Sequence, residues 1–264
     1  MELRESAAVG ELRSLNYDIT PHRSELEVQI DFLRLQVADL TRQVVELRAR
    51  PSIDALEQAY LDSLTRLVQA SAFRDQETGA HIRRIGLYAQ RIALEMGLGH
   101  EFADVLGKAG PMHDVGKVGV PDAILHKNGP LSAEEWILMK RHCEIGAQLL
   151  SGSPSKLIQT AERIARSHHE RFDGSGYPAG LAGAAIPMEA RIVGLVDVYD
   201  ALRSPRPYKA AMQHYRVCAI IQDGDGRTKP GHFDPDVLAV FTRIAPEFDE
   251  LYSQNADPES QLSP

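Results

Sequence analysis

Imidazoles and carboxylates recur together along this chain in a way that few folds can satisfy. Glu77 and His81, the pair His113-Asp114, His142, the run His168-His169-Glu170, and Asp197 with Asp200 are spread over 124 positions. Asp197 and Asp200 sit in an otherwise apolar run, Ile192, Val193, Leu195, Val196 and Val198. A carboxylate buried in such surroundings is costly without a partner. A metal ion or a buried arginine would each provide one. Taken singly, every group has an ordinary explanation: a surface Glu–His pair, a common dipeptide, an exposed histidine, a helix end. Taken together they supply imidazole and carboxylate ligands from four or five segments. Such sets suit zinc, iron, manganese or nickel and not calcium.

The segments carrying these groups read as helices. A heptad seam comes first: Leu26, Ile30, Leu33, Val37, Leu40, Val44 and Leu47, with steps alternating four and three. That is the a/d pattern of a coiled coil. Pro51 breaks it, because proline suits a first helical turn and not an interior. Helical periods follow over 53–67 and onward, 80–96 and 101–117. A capping box of Ser132 and Glu135 opens a helix expected to run to about Leu150. Two more are expected over 155–169 and 188–203, separated by a Gly-rich loop at 172–184. No strand set and no internal repeat is found, so the expected class is all-α.

Composition narrows the function classes. Lys+Arg number 29 and Asp+Glu 37, a formal charge of −8. A duplex-binding protein carries a basic face, so polymeric nucleic acid is not an expected partner, whereas a small phosphorylated ligand needs only a few local cations. Two cysteines, Cys143 and Cys218, cannot build a disulfide framework, which points to a reducing, cytoplasmic setting. No apolar run approaches the roughly 18 residues of a membrane span. There is no Walker loop, dinucleotide fingerprint or nucleophile elbow.

In order and spacing, Glu77-x-x-x-His81, His113-Asp114-x-Gly116-Lys117, His142, His168-His169-Glu170-x-x-Asp173-Gly174-x-Gly176-Tyr177-Pro178, Asp197-Val-Tyr-Asp200, Arg206-Pro207-Tyr208-Lys209 and Gly231-His232-Phe233-Asp234-Pro235 resemble the HD-GYP domain, a branch of the HD phosphohydrolases. The resemblance covers about residues 73–251. It implies an α-helical HD bundle and a metal-dependent bacterial phosphodiesterase of cyclic di-GMP, yielding the linear dinucleotide, GMP or both. Two or three divalent ions, iron or manganese, are implied as cofactors. Carried over by residue, His81, His113, Asp114 and Asp197 would hold one ion and Asp114, His142, His168 and His169 a second, with Asp114 bridging. Glu77 would extend the set toward a third. Asp114 and Lys117 would serve catalysis, and Arg206, Lys209, Tyr177 and Asp200 would contact substrate.

The resulting domain expectation is an unassigned segment over 1–22, coiled-coil and linker helices over 23–72, the catalytic domain over 73–251 and a disordered tail over 252–264. The helical seam resembles the signalling helix that joins such domains to sensor or receiver modules. It implies a homodimer through residues 26–47, with a sensor, receiver or diguanylate cyclase as a possible protein partner. The alternatives are a dinucleotide-binding or cyclase-interacting module without turnover, and a hydrolase of a hybrid cyclic dinucleotide.

Overall fold

A computed structural model describes residues 20–49, 53–75, 78–205 and 211–256. Among them there is no strand. Eleven α-helices are defined: α1 (Thr20–Ala49), α2 (Ile53–Arg74), α3 (Gly79–Glu95), α4 (His100–Ala109), α5 (Asp122–Leu125), α6 (Ala133–Lys140), α7 (His142–Leu150), α8 (Lys156–Ser167), α9 (Met188–Arg203), α10 (His214–Asp223) and α11 (Pro235–Gln254). None is long and apolar enough to cross a membrane.

The chain divides into two compact units, Met1–Asp62 and Ser63–Pro264. In the first, α1 is one unbroken helix of 30 residues, about 45 Å at 1.5 Å per residue. Its seam residues Ile30, Leu33, Val37 and Leu40 are all exposed, as are Val28, Phe32 and Leu35. The helix stops at Ala49 and the next begins at Ile53, on either side of the proline that the sequence marks as a break.

The second unit is built around α3. Thr78 caps it, its hydroxyl accepting from the His81 amide at 3.2 Å. Ile82, Ile85, Tyr88, Ala89, Ile92 and Ala93 recur at three- and four-residue steps and are buried. That face packs against α4, α9 and α11. Tyr88 stacks on Phe248 at 4.4 Å between ring centroids, and Tyr199 meets both edge-on. Each buried ring or branched aliphatic of this kind contributes about 1.5–3 kcal/mol of transfer free energy. Helix α8 lies on α4 and α9, and α7 lies on α8.

Two expected helices are shorter than their periodicity suggested. The helix expected over 101–117 ends at Ala109 and continues as 3₁₀ turns over Gly110–Met112 and Val115–Gly119. Pro111 is the cause, since it lacks an N–H and its ring clashes with the carbonyl four residues back. The helix opened by Ser132 has the expected capping box, yet it divides into α6 and α7 at Arg141. At the far end α11 runs through Gln254, past the expected start of the tail at 252.

Candidate metal centre

The break after Ala109 is what positions the central aspartate. His113 and Asp114 stand between two 3₁₀ turns, off the helical register, and the second turn presses on α7. Gly116 permits this contact: a Cβ there would stand 1.9 Å from the carbonyl oxygen of His142. Gly194 does the same for α9, where a Cβ would meet the carbonyl of His168 at 2.7 Å. His142 opens α7, and His168 caps the end of α8 with His169 beside it.

These elements converge on two groups of side chains. Asp114, His142, His168 and His169 bring one ligand atom each within 4.8 Å of one another, and His81, His113 and Asp197 do likewise. Asp114 divides its carboxylate between them. Its Oδ1 lies 3.2 Å from His142 Nε2 and 3.5 Å from His168 Nε2, while Oδ2 lies 3.3 Å from His113 Nε2. His113 Nε2 is in turn 3.8 Å from Asp197 Oδ1.

The rings are aimed from behind. Nδ1 of His113 donates to the Gly110 carbonyl at 3.0 Å, that of His142 to Met139 at 2.7 Å, and that of His168 to Ile164 at 3.1 Å. His81 Nδ1 donates to Asp200 Oδ2 at 2.8 Å. With Nδ1 so engaged, each ring turns its Nε2 lone pair toward the centre. Metal-binding histidines are characteristically held in this way.

The local electrostatics favour ligand forms. Burial pushes His142 down to about 4 and outweighs the neighbouring Asp114 charge. Burial, reinforced by His168, holds His169 well below the usual histidine range. Both rings are therefore neutral at pH 7. Burial alone would raise Asp114, but Lys117 and His113 outweigh it and hold the carboxyl well below the usual range. Nε2 of His168 and Oδ1 of Asp114 are buried with no hydrogen-bond partner among the described residues. Desolvated polar atoms left so cost free energy, and a shared cation is the group that would satisfy both. The donor set fits a divalent metal of the borderline class.

Lys117 stands at the edge of the cluster, 2.7 Å from Asp114 Oδ2, and is also paired with Asp75. Tyr177 leans over His169, with ring centroids 4.7 Å apart. Beyond it lies a rim: Lys140 Nζ stands 5.0 Å above the Tyr177 ring and 6.0 Å from that of Trp136, which is 47% exposed. Glu170 belongs to the histidine run in sequence but points away from it. Its carboxylate accepts from the amides of Ala179 and Leu181 at 2.7 and 3.0 Å and so staples the Gly-Tyr-Pro loop. A cavity of about 110 Å³ opens beside the cluster, lined by His169, Tyr177, Arg191, Val198, Thr228 and His232 among others.

Three expected site residues, Glu77, Arg206 and Lys209, lie outside the described residues. The relation expected between Glu77 and His81 lies outside them too. Asp200 is a correction. It is fully buried and paired through both oxygens with Arg84, at 2.6 and 2.8 Å, as well as with His81. Burial would raise its carboxyl, but the hydrogen bonds from Arg84 and His81 outweigh that and lower it. It has no face left for a substrate. Of the two partners weighed for an acid in that apolar run, arginine is the one Asp200 has. The sequence reading missed Arg84, although a charge at a core position of α3 signals a buried partner. It also missed Asp75, Lys140 and Trp136, the chain's one tryptophan.

Comparison with known proteins agrees with this architecture. A family model described as an HD domain matches residues 64–237. The cyclic di-GMP phosphodiesterase response regulator RpfG of Xanthomonas campestris is 40% identical over 224 residues, covering 84% of this chain and 58% of its own length. The 3′3′-cGAMP-specific phosphodiesterase 2 of Vibrio cholerae is 42% identical over 182 residues, 69% of this chain and 34% of the relative. The chain thus spans about three-fifths of one relative and a third of the other. A crystal structure of a cyclic GMP-AMP specific phosphodiesterase of Vibrio cholerae, 18% identical, superposes over 74% of this chain and 51% of its own with a TM-score of 0.50, a likeness of fold. The HD family match implies divalent-metal binding, and the two histidine–aspartate groups are side chains that could hold such ions. The chain belongs to the HD domain family, in its HD-GYP branch.

Proposed function

We propose that this domain is a metal-dependent phosphodiesterase of cyclic di-GMP, hydrolysing the ring to the linear dinucleotide, GMP or both. The observation that carries the reading is the division of the Asp114 carboxylate between two histidine groups, with oxygens 3.2 and 3.3 Å from His142 and His113. The 40% identity to a curated cyclic di-GMP phosphodiesterase supports the substrate class. The chain's likeness to a 3′3′-cGAMP-specific enzyme supports a second reading in which a hybrid cyclic dinucleotide is the preferred ring. Iron and manganese are the ions proposed. His81, His113, Asp114 and Asp197 would hold one and Asp114, His142, His168 and His169 the other.

When bound, such a pair acidifies water to a pKa near 7 and clamps phosphoryl oxygens. The protein's part is to hold donors and substrate. Water adds to phosphorus, the bond from phosphorus to the ribose 3′ oxygen breaks, and that oxygen leaves with a proton. Lys117, fixed between Asp75 and Asp114, places a cation where charge grows on the phosphoryl oxygens. Tyr177 and Trp136 offer ring faces for a base, with Lys140 between them. Arg206 and Lys209 are proposed to hold the second phosphate through charge-assisted hydrogen bonds. In the cell the enzyme would act in the cytoplasm as a dimer through residues 26–47, under a sensor or receiver module.

The test is purification with and without oxygen, metal analysis, and chromatography of products from cyclic di-GMP, 3′3′-cGAMP and cyclic di-AMP. Metal-dependent conversion of cyclic di-GMP to the linear product is the expected result. Metal-loaded protein that binds the ring without opening it would favour the binding-module alternative.

A further inference from the structure

Arg84 carries its charge into the hydrophobic core. It is 1% exposed and lies on α3 between Ile82 and Ile85, while its partner Asp200 on α9 is fully buried. The pair has two contacts, Nε to Oδ1 and Nη2 to Oδ2. The guanidinium makes two further hydrogen bonds: Nη1 donates to the Asn255 carbonyl and Nη2 to Ser204 Oγ, both at 3.0 Å. The guanidinium carbon lies 4.8 Å from the centroid of the Tyr252 ring. Asp200 Oδ2 also accepts from Ser204 Oγ at 3.2 Å.

Such a pair is a poor device for joining two helices. Apolar residues of similar volume hold a core as well or better, because two desolvated charges recover little beyond their own desolvation cost. What an apolar pair cannot do is offer a fixed anion to a third group. Here that group is His81, whose Nδ1 lies 2.8 Å from Asp200 Oδ2. His113, His142 and His168 receive the same support from backbone carbonyls. His81 receives it from a carboxylate, which fixes the tautomer and makes the ring a stronger donor at its far nitrogen. Ser204, which closes α9 just before Arg206 in sequence, is bonded into the same knot.

We propose that Asp200, clamped by Arg84, is the positioning residue of the His81–His113–Asp197 group, setting the orientation and donor strength of His81 through its Nδ1. The inference rests on the metal-binding reading of that group and is independent of the substrate.

The experiment compares the full chain with a double variant, Arg84→Met with Asp200→Leu, which replaces both charges with apolar side chains. Manganese affinity is read by competition with a chelator, and folding by thermal unfolding of the metal-free proteins. The proposal expects a cooperative transition close to wild type, one ion retained with unchanged affinity, and the other weakened about 10- to 100-fold. Wild-type affinity for both ions in a folded double variant would overturn it. Ring-nitrogen NMR of the metal-free wild-type chain, with His81 assigned by its loss in His81→Gln, tests the same claim without disturbing the core. A neutral His81 protonated on Nδ1 supports it, and one protonated on Nε2 contradicts it. Should the wild type bind no manganese, the metal reading fails, and the tautomer still decides the pairing.

Discussion

Nζ of Lys117 stands 2.7 Å from Oδ2 of Asp114 and is held there by a second carboxylate, Asp75. A lysine side chain has four rotatable bonds and loses much rotamer freedom when fixed. The Asp75 contact meets that cost in the folded protein before any ligand arrives. Lys117→Ala is expected to lower kcat on cyclic di-GMP by about a hundredfold or more, the scale for removing one preorganised donor, with the metal content unchanged. Asp75→Asn should lower kcat less, because the cation stays. Steady-state kinetics beside metal analysis checks both, and loss of metal ahead of loss of rate would contradict the separation of roles.

The rim of Tyr177, Lys140 and Trp136 has an aromatic face open to solvent. Stacking of a base on such a ring is worth about 1–3 kcal/mol on substitution by alanine. Trp136→Ala should therefore raise KM for cyclic di-GMP by about 5- to 150-fold and leave kcat nearly unchanged. An unchanged KM would remove Trp136 from the substrate path.

The exposed seam of α1 makes a separate prediction. An amphipathic helix draws most of its stability from packing its apolar face, and Ile30, Leu33, Val37 and Leu40 are exposed among the described residues. Leu33→Asp with Leu40→Asp is expected to turn a dimer into a monomer in analytical ultracentrifugation while the second unit keeps its unfolding transition. A wild-type chain that sediments as a monomer at high concentration would rule the dimer out.

Much of the site was readable because its chemistry is local in sequence. The His113-Asp114 and His168-His169 pairs, and the tight approaches marked by Gly116 and Gly194, are written in short strings. What escaped the reading depends on three-dimensional burial. Asp200 and Asp197 share a helix and a residue type, and only the structure sends one to Arg84 and leaves the other beside His113. The end of the 101–117 helix was legible in Pro111, but the apolar period on both sides masked it. The division at Arg141 has no proline or glycine to announce it. Trp136 escaped because α6 buries none of its residues, so periodicity says nothing about what that face is for.

The number of ions turns on Glu77. If it is a ligand, wild-type protein prepared with reduced iron should carry about three ions per chain and Glu77→Ala about two. If it only orients a neighbouring group, the count stays at two in both and turnover falls about 10- to 100-fold. Mass-spectrometric metal counting separates the outcomes. The three-ion result is expected, because a glutamate four residues before His81 would add the anionic ligand that a third ion needs.

The central claim, that Asp114 joins two metal sites into one hydrolytic centre, is tested most directly by the metal content and cyclic di-GMP turnover of Asp114→Ala measured on the same preparation. The account predicts a folded protein that has lost at least one ion and all detectable conversion to the linear dinucleotide. Wild-type metal content together with wild-type turnover in that variant would contradict it.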